Sequence, residues 1–184
     1  MRKRLFISVT IASLIGAACA TKDYSAAAQR RSLDAQADAA LARLNEKVPG
    51  SAEMVAKARG VLVFPSVMTA GLVVGGSWGE GVFRSDGSTA GYYSTGGASA
   101  GVMAGADSKA VFVLFMTQEA LDKFRRGYRW TVGADASVTL ARAGAGASID
   151  TQTGQHPVIA YVLANTGLLV DLSLDGAKIS RLDI

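Results

Sequence analysis

Leu33, Ala37, Leu41, Leu44 and Val48 follow one another at steps of four, four, three and four. That spacing lines one face of a helix, and the alanine-rich sequence around it favours helix. The other face carries Arg30, Arg31, Asp34, Asp38, Arg43, Glu46 and Lys47. Its mixed signs suit a helix packed on a domain better than a basic helix lying on a membrane. The residues from Thr21 read as a tether running into this helix. Pro49-Gly50 breaks it. A second, short helix is predicted from Ser51 as N-cap, with Glu53 in its first turn, to about Arg59, with Gly60 as its stop.

Beyond Gly60 the pattern changes to short β-prone runs. Val61 to Phe64 is wholly apolar and predicts a buried strand ended by Pro65. Ala70 to Ala106 then holds eleven of the chain's 21 glycines, with Leu72-Val73-Val74, Val82-Phe83 and Tyr92-Tyr93 between them. Glycine weakens regular strands, so its density implies bends, bulges or close backbone contact. Ala110 to Met116 is the strongest buried strand. Thr117 caps a helix with Glu119 in its first turn, Leu121 and Phe124 inward, Lys123, Arg125 and Arg126 in the last turn, and Gly127 as its end. Further strands are predicted at Trp130–Val132, Ser137–Ala141, Ala147–Ile149, Val158–Leu163, Leu168–Leu174 and Lys178–Leu182. Turn signals stand at Asp150–Gly154 and Asp175-Gly176. Many short strands with few helices predict an α+β domain whose glycine-rich antiparallel sheet curls toward a barrel or sandwich.

Composition changes this picture at the N-terminus. Hydrophobic residues make up 49% of the 184, enough for a core and suited to one domain. The net charge of +4 includes Arg2, Lys3 and Arg4. These precede the apolar run Leu5–Ala18, which is too short to span about 30 Å of bilayer and fits an export signal. Removing them lowers the formal charge to +1 and takes away the electrostatic basis for binding nucleic acid. Cys19 is the single cysteine, so the chain forms no internal disulfide. Following Gly16-Ala17-Ala18, it resembles the acylation site of bacterial lipoproteins, although Gly16 stands where leucine is usual. Cleavage after Ala20 at Ala18-Cys19-Ala20 is the other processing outcome. Acylation at Cys19 followed by Ala20 implies an outer-membrane anchor facing the periplasm; without it the chain is released into the periplasm.

Candidate chemistry is sparse. Neither G-x-G-x-x-G nor G-x-x-x-x-G-K-[ST] occurs in the glycine-rich block. His156 is the single histidine, in a stretch that reads as a hairpin connection, and nothing in the spacing places a nucleophile and an acid beside it. No ligand spacing indicates a metal, and Glu80 and Asp107 would have to be brought together by the fold to work as acid and base. No cofactor is expected. Lys123, Arg125, Arg126, Tyr128 and Arg129 form the dense basic-aromatic cluster, suited either to lipid headgroups or to a capped helix end with Trp130 entering the core. Trp78, Tyr92 and Tyr93 are the candidates for an aromatic surface, or for packing over glycines.

These blocks, in this order, resemble the SYLF domain. Lys57-Ala58-Arg59-Gly60-Val61 resembles its opening, Gly75 to Val82 its glycine-rich core, and Ala98 to Gly105 its G-x-x-x-G segment. Val111 to Phe124 is similar to its strand and helix, and Thr131 to Val138 to the next block. Ile159-Ala160-Tyr161 and Gly167 through Gly176 are similar to its closing segment. The resemblance spans about residues 45–183. The chain departs from it at Met103, where glutamine is frequent, in lacking a proline near Arg142–Gly146, and at Leu169-Val170-Asp171. The resemblance implies a membrane phospholipid-binding domain without catalysis and leaves the lipid open. The expected organisation is a signal peptide over 1–18, a lipidated N-terminus and tether over 19–32, and the domain over 33–184. The alternative is a structural or protein-binding envelope module anchored through Cys19, with exposed glycine-rich strand edges taking a partner's strand.

Overall fold

The computed structural model describes residues 15–71, 74–100, 105–127, 129–135, 137–141, 156–164 and 176–184. Among these, the elements run α1 (Ile15–Lys47), α2 (Ser51–Lys57), β1 (Gly60–Gly71), β2 (Val74–Ser85), β3 (Ser88–Ala100), β4 (Gly105–Phe115) and α3 (Gln118–Arg126), followed by β5 (Arg129–Thr131), β6 (Thr139–Leu140), β7 (Val158–Ala164) and β8 (Lys178–Arg181). The strands make one sheet, ordered β5-β8-β3-β2-β1-β4-β7-β6. Neighbours are antiparallel except β6 and β7. The class is α+β, with the sheet curled into a half-barrel as the glycine-rich block implied. The strands expected at Ala147–Ile149 and Leu168–Leu174, and the turn at Asp150–Gly154, lie outside the described residues.

The curl is measured by its aromatic core. Phe115 of β4 and Trp130 of β5 stand five positions apart in the strand order, which is about 24 Å in a flat sheet. Their ring centres are 5.8 Å apart. Phe83, Tyr93 and Phe124 pack between them, with Phe124 at 4.7 Å from Phe115 and 5.2 Å from Phe83. α3 supplies Leu121 and Phe124 to this concave core, beside Leu62, Phe64, Val113, Val158 and Ile179.

A bulge in β1 drives the bend. Val63 pairs with Val82 and Ser66 with Glu80, so β1 spends one more residue than β2 over this interval. The same extra residue shows against β4, between Phe64 and Val67. Pro65 therefore does not end the strand, as expected from the sequence, but sits inside the bulge, where a missing N–H is tolerated. The neighbouring strand answers with glycine. A methyl on Gly81 would lie 2.5 Å from both the Val63 carbonyl oxygen and the Phe64 ring, and one on Gly79 would lie 2.8 Å from the Ser66 carbonyl oxygen.

The convex face is half covered by α1. Leu33, Ala37, Ala40 and Leu44 bury against Val61, Val63, Val82, Phe112, Leu114 and Ile159. Polar ties set the helix's position. The Arg84 guanidinium donates to the Asp38 carboxylate at 2.5 Å and to the Asp34 carbonyl at 3.3 Å. The Asp34 carboxylate accepts from Thr89 at 2.8 Å and from Tyr92 at 2.9 Å. The hydrogen bond from Arg84 holds the Asp38 carboxyl below its ordinary range. With these ties in an alanine-rich sequence, α1 is continuous from Ile15, so residues 19–32 are helical where a tether was expected.

Two cap assignments also change. Gly50, at φ 83°, is the N-cap of α2, while Ser51 is buried and donates to the Leu44 carbonyl. α2 ends at Lys57, and Gly60 opens β1 instead of closing the helix. A Cβ there would meet the Phe83 ring at 2.9 Å.

Gly81→Ala is expected to cost about 1–3 kcal/mol through overpacking. Gly76→Ala, whose Cβ would find no atom nearer than 3.9 Å, should lose only the small cost or gain of a strand glycine; urea unfolding of the pair checks this. The Tyr161 hydroxyl is buried without a hydrogen-bond partner among the described residues, and burial pushes its pKa up to about 12. A raised pKa means its contribution is intact below about pH 10 and is lost as pH rises to about 12, by about 2–3 kcal/mol. Tyr161→Phe should remove most of that alkaline loss and be no less stable at neutral pH, read from unfolding midpoints at both pH values.

Candidate lipid-contact surface

The cations singled out by sequence gather at one edge of the sheet. Thr117 caps α3 by accepting the Ala120 N–H at 3.3 Å. Burial of Leu121 and Phe124 then leaves Lys123, Arg125 and Arg126 exposed. Lys123 pairs with Glu119 at 3.0 Å. The Arg125 guanidinium stands 5.7 Å from the centre of the Phe83 ring. Gly127 follows the helix in extended backbone, at φ −82°, not in the left-handed conformation usual for a terminating glycine. Tyr128 lies outside the described residues. β5 buries Trp130 and leaves Arg129 exposed on the other face.

β8 brings in two cations that sequence distance conceals. Arg129 pairs with Ser180, Trp130 with Ile179 and Thr131 with Lys178. On its other side β8 places Arg181 opposite Tyr93 and Lys178 opposite Gly96. Side chains alternate along a strand, so Ile179 and Arg181 share the concave face with Tyr93, while Lys178 and Ser180 share the face of Arg129. Burial raises the Tyr93 hydroxyl's pKa, opposed by the charges of Arg181 and Arg125. Both faces of the β5–β8 edge are therefore cationic. Among the described residues, Arg125, Arg126, Arg129, Lys178 and Arg181 have no carboxylate within 4.0 Å. The available signal was the alternation in Lys178-Ile179-Ser180-Arg181, where only the third dimension supplies the neighbour.

The three aromatic candidates separate. Tyr93 faces the concave core at 9% exposure, so it is a packing residue and not part of a surface. Tyr92 points the other way, half-buried, and donates to Asp34 of α1. Trp78 remains at 57% exposure. The alternation of β2 and β3 about the curled sheet makes this division.

The other candidates stay apart. His156 is exposed just before β7. Glu80 accepts from Gln29 of α1 on the convex side at 3.0 Å. Asp107 shares its face of β4 with Val111 and Val113 of the concave core and pairs with Lys109 at 3.1 Å. β1 lies between the two carboxylates. Among the described residues no group of three or more His, Cys, Asp or Glu is placed to hold a metal. A groove of about 520 Å³ lies between α2 and the Asp86-Gly87 hairpin turn, but Lys57 and Arg84 in its wall are already paired with Glu53 and Asp38. No helix among the described residues is long and apolar enough to cross a membrane.

Residues 96–183 match the family model described as "Las17-binding protein actin regulator", Ysc84. Over this span the chain is similar to the SYLF domain. Comparison with curated proteins gives no significant match. The matched span holds the end of β3 and all of β4, α3 and β5 to β8. In the sheet, β2 and β1 separate β3 from β4. The strands ahead of the matched span are therefore part of the same folded unit. Among the described residues the glycine-rich strands occupy the middle of the sheet, with β5 and β6 at its ends, and β3 pairs with β8 only over Tyr93–Gly96.

Trp78→Ser is expected to change unfolding free energy by no more than about 0.5 kcal/mol, as at an exposed site. Tyr93→Ala should cost about 3–5 kcal/mol, as for a core ring. Thermal unfolding of the two variants separates a surface ring from a packing one.

Proposed function

We propose that this chain is an exported, acylated protein of the cell envelope that binds membrane phospholipid and catalyses no reaction. The observation that carries this reading is the cationic β5–β8–α3 edge, with Arg125, Arg126, Arg129, Lys178 and Arg181 exposed and unpaired among the described residues. Cations so held suit phosphate headgroups, to which each contributes about 1 kcal/mol near an anionic surface. Similarity to the SYLF domain over residues 96–183 supports a binding role in place of a catalytic one. Residues 1–18 act as the leader, Cys19 carries the acyl chains, and the domain is held at the outer membrane facing the periplasm. The family description names a protein ligand, and protein binding through the same edge is the competing use.

The test is sedimentation of the full chain carrying Cys19→Ser with phosphatidylglycerol-containing vesicles at low and high salt. Binding is expected at low salt, to fall at high salt, and to fall about fivefold for each of Arg125→Ala, Arg129→Ala and Arg181→Ala. Failure to bind at low salt, or binding indifferent to both salt and substitution, overturns headgroup recognition. Intact mass of the membrane fraction should show Cys19 as the acylated first residue.

A further inference from the structure

α1 leaves one end of the convex face open, and the two large apolar side chains exposed among the described residues lie there. Met68 is 48% exposed and Trp78 57%. They are direct cross-strand partners on β1 and β2. The same row continues through Gly96 to Lys178, so the lysine stands two strand spacings from Trp78, about 10 Å, with no side chain between them. The next row holds Ala70, Gly76 and Ala98, all small and exposed. The surface is thus flat around one indole, one thioether and one ammonium group.

The course of α1 shows what this end faces. Asp38 is tied to Arg84 and Gln29 to Glu80. Those ties are nine residues apart on the helix and four apart on β2, about 13 Å by either rise. Helix and strand therefore run side by side in the same sense. Two residues beyond Glu80 is Trp78; about 15 Å beyond Gln29 is Cys19, with the apolar run Leu5–Ala18 leading into the helix. Whether that run is retained or is replaced by acyl chains on Cys19, the membrane-seeking part of the chain leaves at the Trp78 end.

We propose that the Met68–Trp78 end of the sheet is seated in the interface of the bilayer, with Lys178 on the headgroup phosphates. Indole favours the boundary between headgroups and acyl chains, and a lysine stem reaches back to phosphate from beside it. The inference rests on the membrane-binding reading and adds the face and the orientation.

The full chain is reconstituted in phosphatidylcholine–phosphatidylglycerol vesicles with brominated acyl chains, and tryptophan emission is followed. Trp130 is buried in the protein core and serves as the internal reference. Trp78 emission should shift to the blue, lose intensity to the brominated lipid and become shielded from acrylamide, and Trp78→Phe should abolish all three changes. If the chain is bound to vesicles but Trp78 stays acrylamide-accessible and unquenched by bromine, this orientation is overturned and membrane binding stands. If the chain does not associate with vesicles, both fall.

Discussion

A carbonyl oxygen and an aromatic ring occupy the space where Gly81 would carry a side chain, and the rest of the molecule follows from that approach. The bulge at Pro65 pushes the Val63 and Ser66 carbonyls and the Phe64 ring toward β2, and β2 meets them at Gly79 and Gly81 without a Cβ. A bulge increases local twist. Here it bends the sheet far enough for Phe115 and Trp130, five strand positions apart, to join one ring cluster. Each fully buried ring in that cluster contributes about 1.5–3 kcal/mol, so the bend is held by what it encloses.

The same bend distributes polarity. The concave side is filled by rings and by α3, and half of the convex side is covered by α1, where Ala37 and Ala40 allow close approach. The buried polar residues among those described are Ser51, Thr69, Ser85 and Thr95, none of them ionisable in the ordinary pH range. Charge is left on the rim, where β5, β8 and the end of α3 meet. A rim of guanidinium groups around a closed apolar core suits binding to an extended anionic surface better than enclosure of a small reactant.

Much of the fold was legible in one dimension because local rules decided it. β4, the Thr117 cap, the inward Leu121 and Phe124, and the strands at β7 and β8 each follow from a run, a cap or an alternation within a few residues. The assignments that shifted depended on a neighbour distant in sequence. Pro65 reads as a stop until a bulge absorbs it. Gly60 reads as a helix end until the Phe83 ring is seen against it. Tyr92 and Tyr93 read as a pair until alternation sends one to Asp34 and the other to Phe124. Of the basic surface, Lys123 to Arg129 was visible as a cluster, whereas Lys178 and Arg181 joined it only through the pairing of β8 with β5 and β3.

By itself, the sequence determined a glycine-loosened sheet, an amphipathic helix beside it, a buried central strand and an apolar N-terminal run ending near Cys19, because propensity and periodicity act over a turn or a strand. Only the tertiary structure decided which rings are core and which is surface, which cations share an edge, and that α1 runs alongside β2 in the same sense, so that its N-terminal end and Trp78 lie together. Those outcomes depend on strand register and on the direction of packed elements, and both are set by contacts between residues tens of positions apart.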